Sequence, residues 1–401
     1  VAAASGGVAS IGAALSAVAA RKRCRDRWTC RPEKLFAYVN ADLLDRVRIQ
    51  FVVTIMQINF LDIVARAWAR YDDSRAVQSV ADISVLVSTN HVFRVRLENG
   101  DLVIAKVSYF GRYEAFVEDH TLINALANNL PAPFDQFLSR SLVKKNRLFV
   151  YRHQDELLDV WVIFYNPIGV NAQLPKQLQP THIEALGRQL ALFHRACSSL
   201  TNILPDWSKT LRRDMRDLAM WLEQPEGQFY HRSNIGVIQE QMALFEENTE
   251  ALGAHAWKPI PVFVDWNIGN FSVTKDLRFF SRWDYDWFRM SSRVFDFYFF
   301  SRVCSQAGDR SVFSYQLDTL SEPGFLRFLS AYHEVYPLTR SELAFLPEAY
   351  RFFILNYVIK YGHYFFQDIY ASKLGREAFT EYFPRLQQGF DAEQLCRRLG
   401  V

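Results

Sequence analysis

The stretch PVFVDWNIGNFSVTKDLRFFSRWDYDWFRMSSRVFDF, residues 261–297, decides how this chain is read. Residues 261–264 form an apolar run that ends at Asp265, and Asn267 and Asn270 follow around Gly269. Residues 271–273 and 277–283 read as the two arms of a hairpin, with Thr274-Lys275-Asp276 as the turn. The return arm ends at Asp284, and a further acid, Asp296, sits in an aromatic run. Antiparallel strand ends lie side by side, so polar groups at the start and end of one hairpin can face one cleft.

Phosphoryl transfer calls for such a set. It needs little covalent work from the protein, but it needs metal on the phosphates and a carboxylate near the attacking hydroxyl. Magnesium takes oxygen ligands and keeps several waters, so one Asp and one Asn carbonyl suffice. Asp265 then orients or deprotonates the hydroxyl, while Asn270 and Asp284 hold the metal. Asp286 is the alternative to Asp284, because a slip of two residues in Trp283-Asp284-Tyr285-Asp286 keeps the strand face. The same residues also describe an ordinary surface hairpin with Asn and Gly turn chemistry. Spacing alone leaves both readings open.

The stretch resembles the catalytic segment of the aminoglycoside phosphotransferase-like family, small-molecule kinases with a protein-kinase-like fold. The family pattern runs His-Gly-Asp, four residues, Asn, a hairpin, Ile-Asp-Trp, and an Asp about a dozen residues later. Here Asp265, Asn270, Asp284 in Trp283-Asp284-Tyr285, and Asp296 fall in register, while Phe263 and Val264 stand where the family has His and Gly. The resemblance implies an α+β, two-lobed fold with a small antiparallel-sheet N-lobe, residues 56–164, and a larger, mainly helical C-lobe, residues 165–401. It implies ATP and Mg2+ as cofactors and transfer of the γ-phosphoryl group to a small-molecule hydroxyl, on an amino alcohol, a sugar or an aminoglycoside-like compound. It also implies that Asp296 is structural and accepts hydrogen bonds from the catalytic-loop backbone.

The residues upstream read as a small sheet. The alternation predicts strands at 82–87, 92–97 and 102–107, with Asn99-Gly100 as a two-residue hairpin turn. Lys106 lies in the third strand, where an outward-facing lysine on a half-buried sheet is the plain alternative. By the resemblance, Lys106 reaches the nucleotide phosphates and pairs with a helix glutamate. Ser88, Thr89 and Asn90 correspond to the phosphate-covering loop, without a G-x-G-x-x-G. The helix predicted over 113–128 holds Glu114, Glu118 and Asp119. Glu118 is taken as the Lys106 partner, because it shares a face with Leu122 and Ala125. Strands are expected at 148–151 and 160–165, followed by a hinge at 164–168 whose backbone the resemblance assigns to the adenine.

Helical spacing marks 59–71, then a face of Ile183, Leu186, Leu190, Phe193 and Cys197, then 211–221 and 237–252. His194 reads as a buried structural histidine, and 223–234 as a loop available as a lid. Tyr350, Phe353, Tyr357, Tyr361 and Tyr364 recur at helical spacing and read as packed core, with an aromatic cage for a cationic substrate as the rival.

Half of the 401 residues are hydrophobic, enough for one large or two coupled cores. A net charge of +3 demands no nucleic acid. The five cysteines lack zinc spacing, so a reducing, cytoplasmic setting is expected, and no apolar run is long enough to predict a spanning helix. Residues 1–55 form an Ala/Gly/Ser-rich, then basic leader, and Met56 is the first methionine. They are expected to be a disordered leader or translation upstream of the start, with an organelle transit peptide as the rival. Two further functional readings stay open: a kinase-like nucleotide-binding module without transfer, motivated by the missing His-Gly pair, and a Ser/Thr protein kinase, which the lack of His-Arg-Asp and Asp-Phe-Gly triplets disfavours.

Overall fold

The computed structural model describes residues 59–84, 90–109, 111–156, 158–306, 314–388 and 390–401. The leader at 1–55 and the loop residues Ser88 and Thr89 lie outside the described residues. The chain divides into two compact units, Val64–Arg152 with Val160–Val401, and Val1–Ile63 with His153–Asp159. In the second unit, the Asp155 carboxylate accepts the Leu158 amide hydrogen at 2.9 Å. The side chains of the candidate site belong to the first unit.

The first helix, α1, spans Phe60–Tyr71. It is followed by strands β1 (Val77–Asp82), β2 (His91–Leu97) and β3 (Leu102–Ser108), joined in antiparallel register. The turn is not the two-residue Asn99-Gly100 one expected: the Gly100 amide donates to the Leu97 carbonyl at 2.9 Å, so Glu98 and Asn99 are its central residues, and Gly100 follows them with φ 89°. The first strand ends where the expected 82–87 begins, and residues 85–87 of that expectation lie outside the described residues. Asp82 ends it instead, its Oδ1 accepting the Ser84 amide hydrogen at 2.8 Å.

Helix α2 (Tyr113–Asn129) follows, then a two-residue hairpin of β4 (Val143–Lys144) and β5 (Arg147–Leu148), then β6 (Val150–Gln154) and β7 (Asp159–Tyr165). The sheet order is β1-β2-β3-β7-β6, so β3 is central. Lys106 pairs in register with Val92 on one side and Ile163 on the other. Strand side chains alternate, so Lys106 shares its face with Ile104 and Ser108, away from Ala105 and Val107. The α2 helix covers the Lys106 face: its Phe116 ring lies 5.8 Å from Trp161 of β7.

Beyond the sheet the chain is mostly helical. The helices α3 (Pro180–Leu200), α4 (Leu211–Glu223), α5 (Pro225–His231) and α6 (Ile235–Ala251) precede two short paired segments, β8 (Ile260–Val262) with β11 (Arg289–Ser291) and β9 (Phe271–Val273) with β10 (Phe279–Arg282). The expected loop at 223–234 is mostly α5. Pro225 opens it at a position that needs no N–H, and Gly227 lets it fold back closely, since a Cβ there would lie 2.2 Å from the Trp221 carbonyl oxygen. Helix α3 packs against Pro323–Val335, with Gly187 allowing the approach: a Cβ there would sit 2.4 Å from the Phe328 carbonyl oxygen. Tyr350, Phe353 and Tyr357 are buried in the helical core, as packed-core spacing predicts, while Tyr361 and Tyr364 of the same series are only partly buried. Among the described residues no helix is long and apolar enough to cross a membrane.

A buried histidine joins sheet and helix beneath Lys106. His120 Nδ1 lies 2.9 Å from the Phe116 carbonyl, which only accepts, so Nδ1 carries the proton. Nε2 then accepts from the Tyr165 hydroxyl at 2.7 Å. Burial pulls the imidazole pKa down to about 3, the Phe116 carbonyl opposing and the Lys106 charge adding. The unfolded chain takes up this proton near the ordinary histidine value and the folded chain does not, so stability is full above pH ~6.5 and falls as pH drops toward the folded value. Urea denaturation of wild type and His120→Gln between pH 7.5 and 5 is expected to show an extra wild-type slope approaching about 1.4 kcal/mol per pH unit. Parallel pH curves would contradict it.

Candidate active site

The hairpin delivers the acids. In β9–β10, Phe271 pairs with Arg282, and the next amide, Trp283, donates to the Asn270 carbonyl at 3.0 Å. Asn270 and Asp284 therefore leave the ends of the two arms as near neighbours, as the hairpin reading requires. Asp284 turns with φ 65°, a left-handed conformation that Asp tolerates better than most residues. Its Oδ1 accepts from Lys106 Nζ at 2.9 Å.

Asp286, two residues on, also bonds Lys106 Nζ through Oδ1, while its Oδ2 accepts from Asn90 Nδ2. The structure thus brings Lys106, Asn90, Asp284 and Asp286 together. Lys106 and Asn90 are buried, while the Asp284 side chain is 40% exposed and that of Asp286 only 11%. Burial would lower the Lys106 pKa, but the two carboxylates hold it above the ordinary lysine range. Burial also pushes both acids up. For Asp284 the Lys106 ammonium wins and the pKa falls below the usual value. For Asp286 burial, with the Asp284 charge beside it, wins over Lys106 and the pKa rises to about 6.

Glu118 takes no part in this cluster. Its Oε1 accepts the Ser208 amide hydrogen at 2.6 Å, and the neighbouring Asp119 pairs with Lys209. The pairing of Lys106 with Glu118 expected from the sequence is thus replaced by pairing with Asp284 and Asp286. Helical spacing pointed to the wrong element, since the carboxylates that reach Lys106 follow the hairpin and not the helix.

Asp265 sits in a loop held from both sides. The amides of Phe263 and Val264 donate to Asp296 Oδ1 at 2.8 and 2.6 Å. Asp296 Oδ2 accepts from His194 Nε2 at 2.9 Å, and His194 Nδ1 accepts from the Tyr332 hydroxyl at 2.8 Å. Both His194 and Asp296 are fully buried. These are the structural roles expected of both. On the other side, Arg282 donates to the Asp265 carbonyl at 2.8 Å, with its guanidinium 4.8 and 4.3 Å from the ring centroids of Phe263 and Trp266. Arg282 was not singled out from the sequence; its trace is an arginine between Ser281 and Trp283 in the largely apolar arm 277–283. Asp265 Oδ1 accepts the Asn267 amide hydrogen, and Asn267 Oδ1 accepts that of Gly269, at 3.1 and 2.9 Å, so successive Asx turns shape the loop.

The Asn270 side chain makes no hydrogen bond among the described residues. With the exposed Asp284 carboxylate it offers oxygen donors to a hard cation. Two carboxylates around one ammonium leave a net charge of −1, which suits such an ion. Among the described residues no three His, Cys, Asp or Glu side chains are grouped to hold a metal without other ligands.

Val264 occupies the position where the family pattern has Gly, and its φ is 59°. A β-branched residue there is strained by about 1–3 kcal/mol. The ordinary order, with Ala more stable than Gly by about 0.4–1 kcal/mol, should therefore reverse at this site. Denaturant unfolding of Val264→Gly and Val264→Ala is expected to place the glycine variant about 1 kcal/mol above the alanine one. The usual order would show that the loop is not held in this conformation.

No family model and no curated protein sequence matches the chain. Among solved structures, it resembles an amicoumacin kinase in complex with AMP-PNP and Ca2+, with TM-score 0.53 and 14% identity over 83% of this chain and 96% of that one. It also resembles a microcompartment-associated aminopropanol kinase, with TM-score 0.53 and 15% identity over 81% of this chain and 99% of that one. The chain therefore has the protein-kinase-like fold of small-molecule phosphotransferases, the fold that the register of Asp265, Asn270, Asp284 and Asp296 implied.

Proposed function

We propose that the protein is an ATP-dependent phosphotransferase that moves the γ-phosphoryl group to a hydroxyl of a small molecule. The observation that carries this reading is the meeting of Lys106, from the central strand, with Asp284, from the end of the hairpin that begins at Asn270. The resemblance to solved small-molecule kinases, one of them bound to an ATP analogue, supports it.

Lys106 holds the phosphates, and its burial between β2 and β7 fixes the point from which the ammonium reaches. Asp286, clasped by Asn90, keeps Lys106 in place when Asp284 turns to other work. Asn270 and Asp284 would hold Mg2+, which when bound neutralises phosphate charge and orients the nucleotide. Asp265 receives the acceptor's hydroxyl proton as the new oxygen–phosphorus bond forms and the bond to ADP breaks. The loop around Asp265 is held at its backbone by Asp296 and Arg282, so the carboxylate needs little reorganisation on binding. A second reading, a nucleotide-binding module without transfer, is favoured by Phe263 and Val264 in place of His and Gly.

ATP turnover over a panel of amino alcohols, sugars, aminoglycosides and hydroxy amino acids separates the two. Wild type is expected to phosphorylate at least one class, and Asp265→Asn to lose roughly three powers of ten, about 4 kcal/mol of transition-state stabilisation. Equal activity of the two proteins removes Asp265 from the chemistry. Nucleotide binding without product from any acceptor selects the second reading.

A further inference from the structure

Arg282, the last residue of β10, carries a guanidinium that packing alone does not call for. The residue is 0% exposed, yet its Nε and Nη1 find no acceptor among the described residues. Its Nη2 donates to the Asp265 carbonyl at 2.8 Å. Burial works against the charge; Asp265, then Asp296, oppose that. Each of the carboxylates around it has a partner of its own. Asp296 accepts from two amides and His194, Asp284 from Lys106, and Asp265 Oδ1 from the Asn267 amide. Buried donors without acceptors cost stability, and an apolar side chain of similar length fills such a space without that cost.

What the arginine gives in return is geometric. Its root is fixed, since its amide donates to the Phe137 carbonyl at 2.7 Å and its carbonyl accepts from the Ser139 amide at 3.0 Å. Its guanidinium lies beside the rings of Phe263 and Trp266, which stand on either side of Val264 and Asp265 in the chain. The side chain is thus a strut from the hairpin arm to the peptide of the candidate base. A planar fork suits this position, because its face meets aromatic rings while its edge donates to a carbonyl.

The loop needs such a strut in this chain. Phe263 has no hydrogen-bonding group in its side chain, and Val264 resists the φ of 59° that it adopts. The residues that stand where the family pattern has His and Gly therefore do not favour the shape of the loop, which is imposed from outside. Asp296 imposes it ahead of the acid, through the amides of Phe263 and Val264. Arg282 imposes it at the acid, through the carbonyl of Asp265 itself.

Resting on the phosphotransferase reading, we propose that Arg282 is a positioning residue: by clamping the Asp265 peptide it aims the Asp265 carboxylate at the acceptor's hydroxyl, work that Phe263 and Val264 cannot do. Being fully buried, it touches neither nucleotide nor acceptor.

The test uses Arg282→Met and Arg282→Lys in the full chain, with folding checked by circular dichroism. Turnover is measured with Mg2+, ATP and the acceptor that wild type phosphorylates best. Arg282→Met is expected to lower kcat about a hundredfold, the effect of a displacement of about 1 Å. Its KM for ATP is expected to stay within about threefold of wild type, because Lys106 and Asp284 are untouched. Arg282→Lys, which returns a charged donor without the plane, is expected to recover about tenfold of the loss. Hydrogen exchange read by mass spectrometry is expected to be about tenfold faster in Arg282→Met over residues 263–270 and unchanged over β3.

A kcat within about threefold of wild type in Arg282→Met overturns the inference. So does a KM for ATP that rises as much as kcat falls, a lysine variant no better than the methionine one, unchanged exchange over 263–270, or loss of the fold in both variants. Wild-type turnover with Arg282→Met unimpaired sinks the positioning role alone. No turnover by wild type with any acceptor sinks the phosphotransferase reading and the positioning role with it.

Discussion

One ammonium between two carboxylates ties this molecule together. Lys106 comes from the middle of the sheet, and Asp284 and Asp286 come from the end of a hairpin far along the chain. A buried ion group of this kind is weak evidence for stability, because desolvation offsets most of the attraction. Its effect is geometric. Any shift of the hairpin against β3 would strand a buried charge at a cost of several kcal/mol, so the register between them is narrow. The segment between α2 and β4 reinforces it, with Ser139 donating to the Arg282 carbonyl and Arg282 to the Phe137 carbonyl, at 3.0 and 2.7 Å. The unequal exposure of the two acids then gives them different work. Asp284, the more exposed, is available to a ligand; Asp286, clasped by Asn90, is committed to Lys106.

The loop carrying Asp265 rests on a second buried chain, Tyr332 to His194 to Asp296 to the amides of Phe263 and Val264. Each group in it has one available role: the amides donate, so the carboxylate accepts; the carboxylate accepts from His194 Nε2, so Nδ1 accepts from the tyrosine. Burial keeps His194 neutral against the pull of Asp296. Such a chain holds a loop without charge to spare, and it holds Val264 in a conformation that valine resists. Strain of this kind persists where the surroundings over-determine the backbone. Arg282, stacked on Phe263 and Trp266, closes the loop from the other side.

Much of this was legible in the sequence because it is local. The place of the turn near Asn99-Gly100, the hairpin arms around Thr274-Lys275-Asp276, and the helical faces of Ile183 to Cys197 follow from short-range rules. Asp284 and Lys106 were assigned to one site through a pattern in which order along the chain stands in for position. The failures are long-range or depend on packing. Whether Glu118, Asp284 or Asp286 reaches Lys106 depends on the reach of each carboxylate after the sheet, helix and hairpin assemble, which spacing along one helix cannot encode. The short helix Pro225–His231 sits among polar and Gly residues that read as loop, and its close approach to Trp221 needs the missing side chain of Gly227. Strand β11 is three residues long and gives no periodic signal. Lys360 Nζ and Asn356 Oδ1, buried without a hydrogen-bond partner among the described residues, were hidden in an aromatic run that reads as core.

Everything rests on Asp284 and Lys106 acting on one metal–nucleotide complex. The direct measurement is calorimetric binding of AMP-PNP with Mg2+ and with EDTA, in wild type and Asp284→Asn, with folding of both checked by circular dichroism. The account predicts that removing Mg2+ weakens wild-type binding about tenfold or more and changes binding by Asp284→Asn far less. The same metal dependence in both proteins, or nucleotide binding indifferent to metal in wild type, would contradict it.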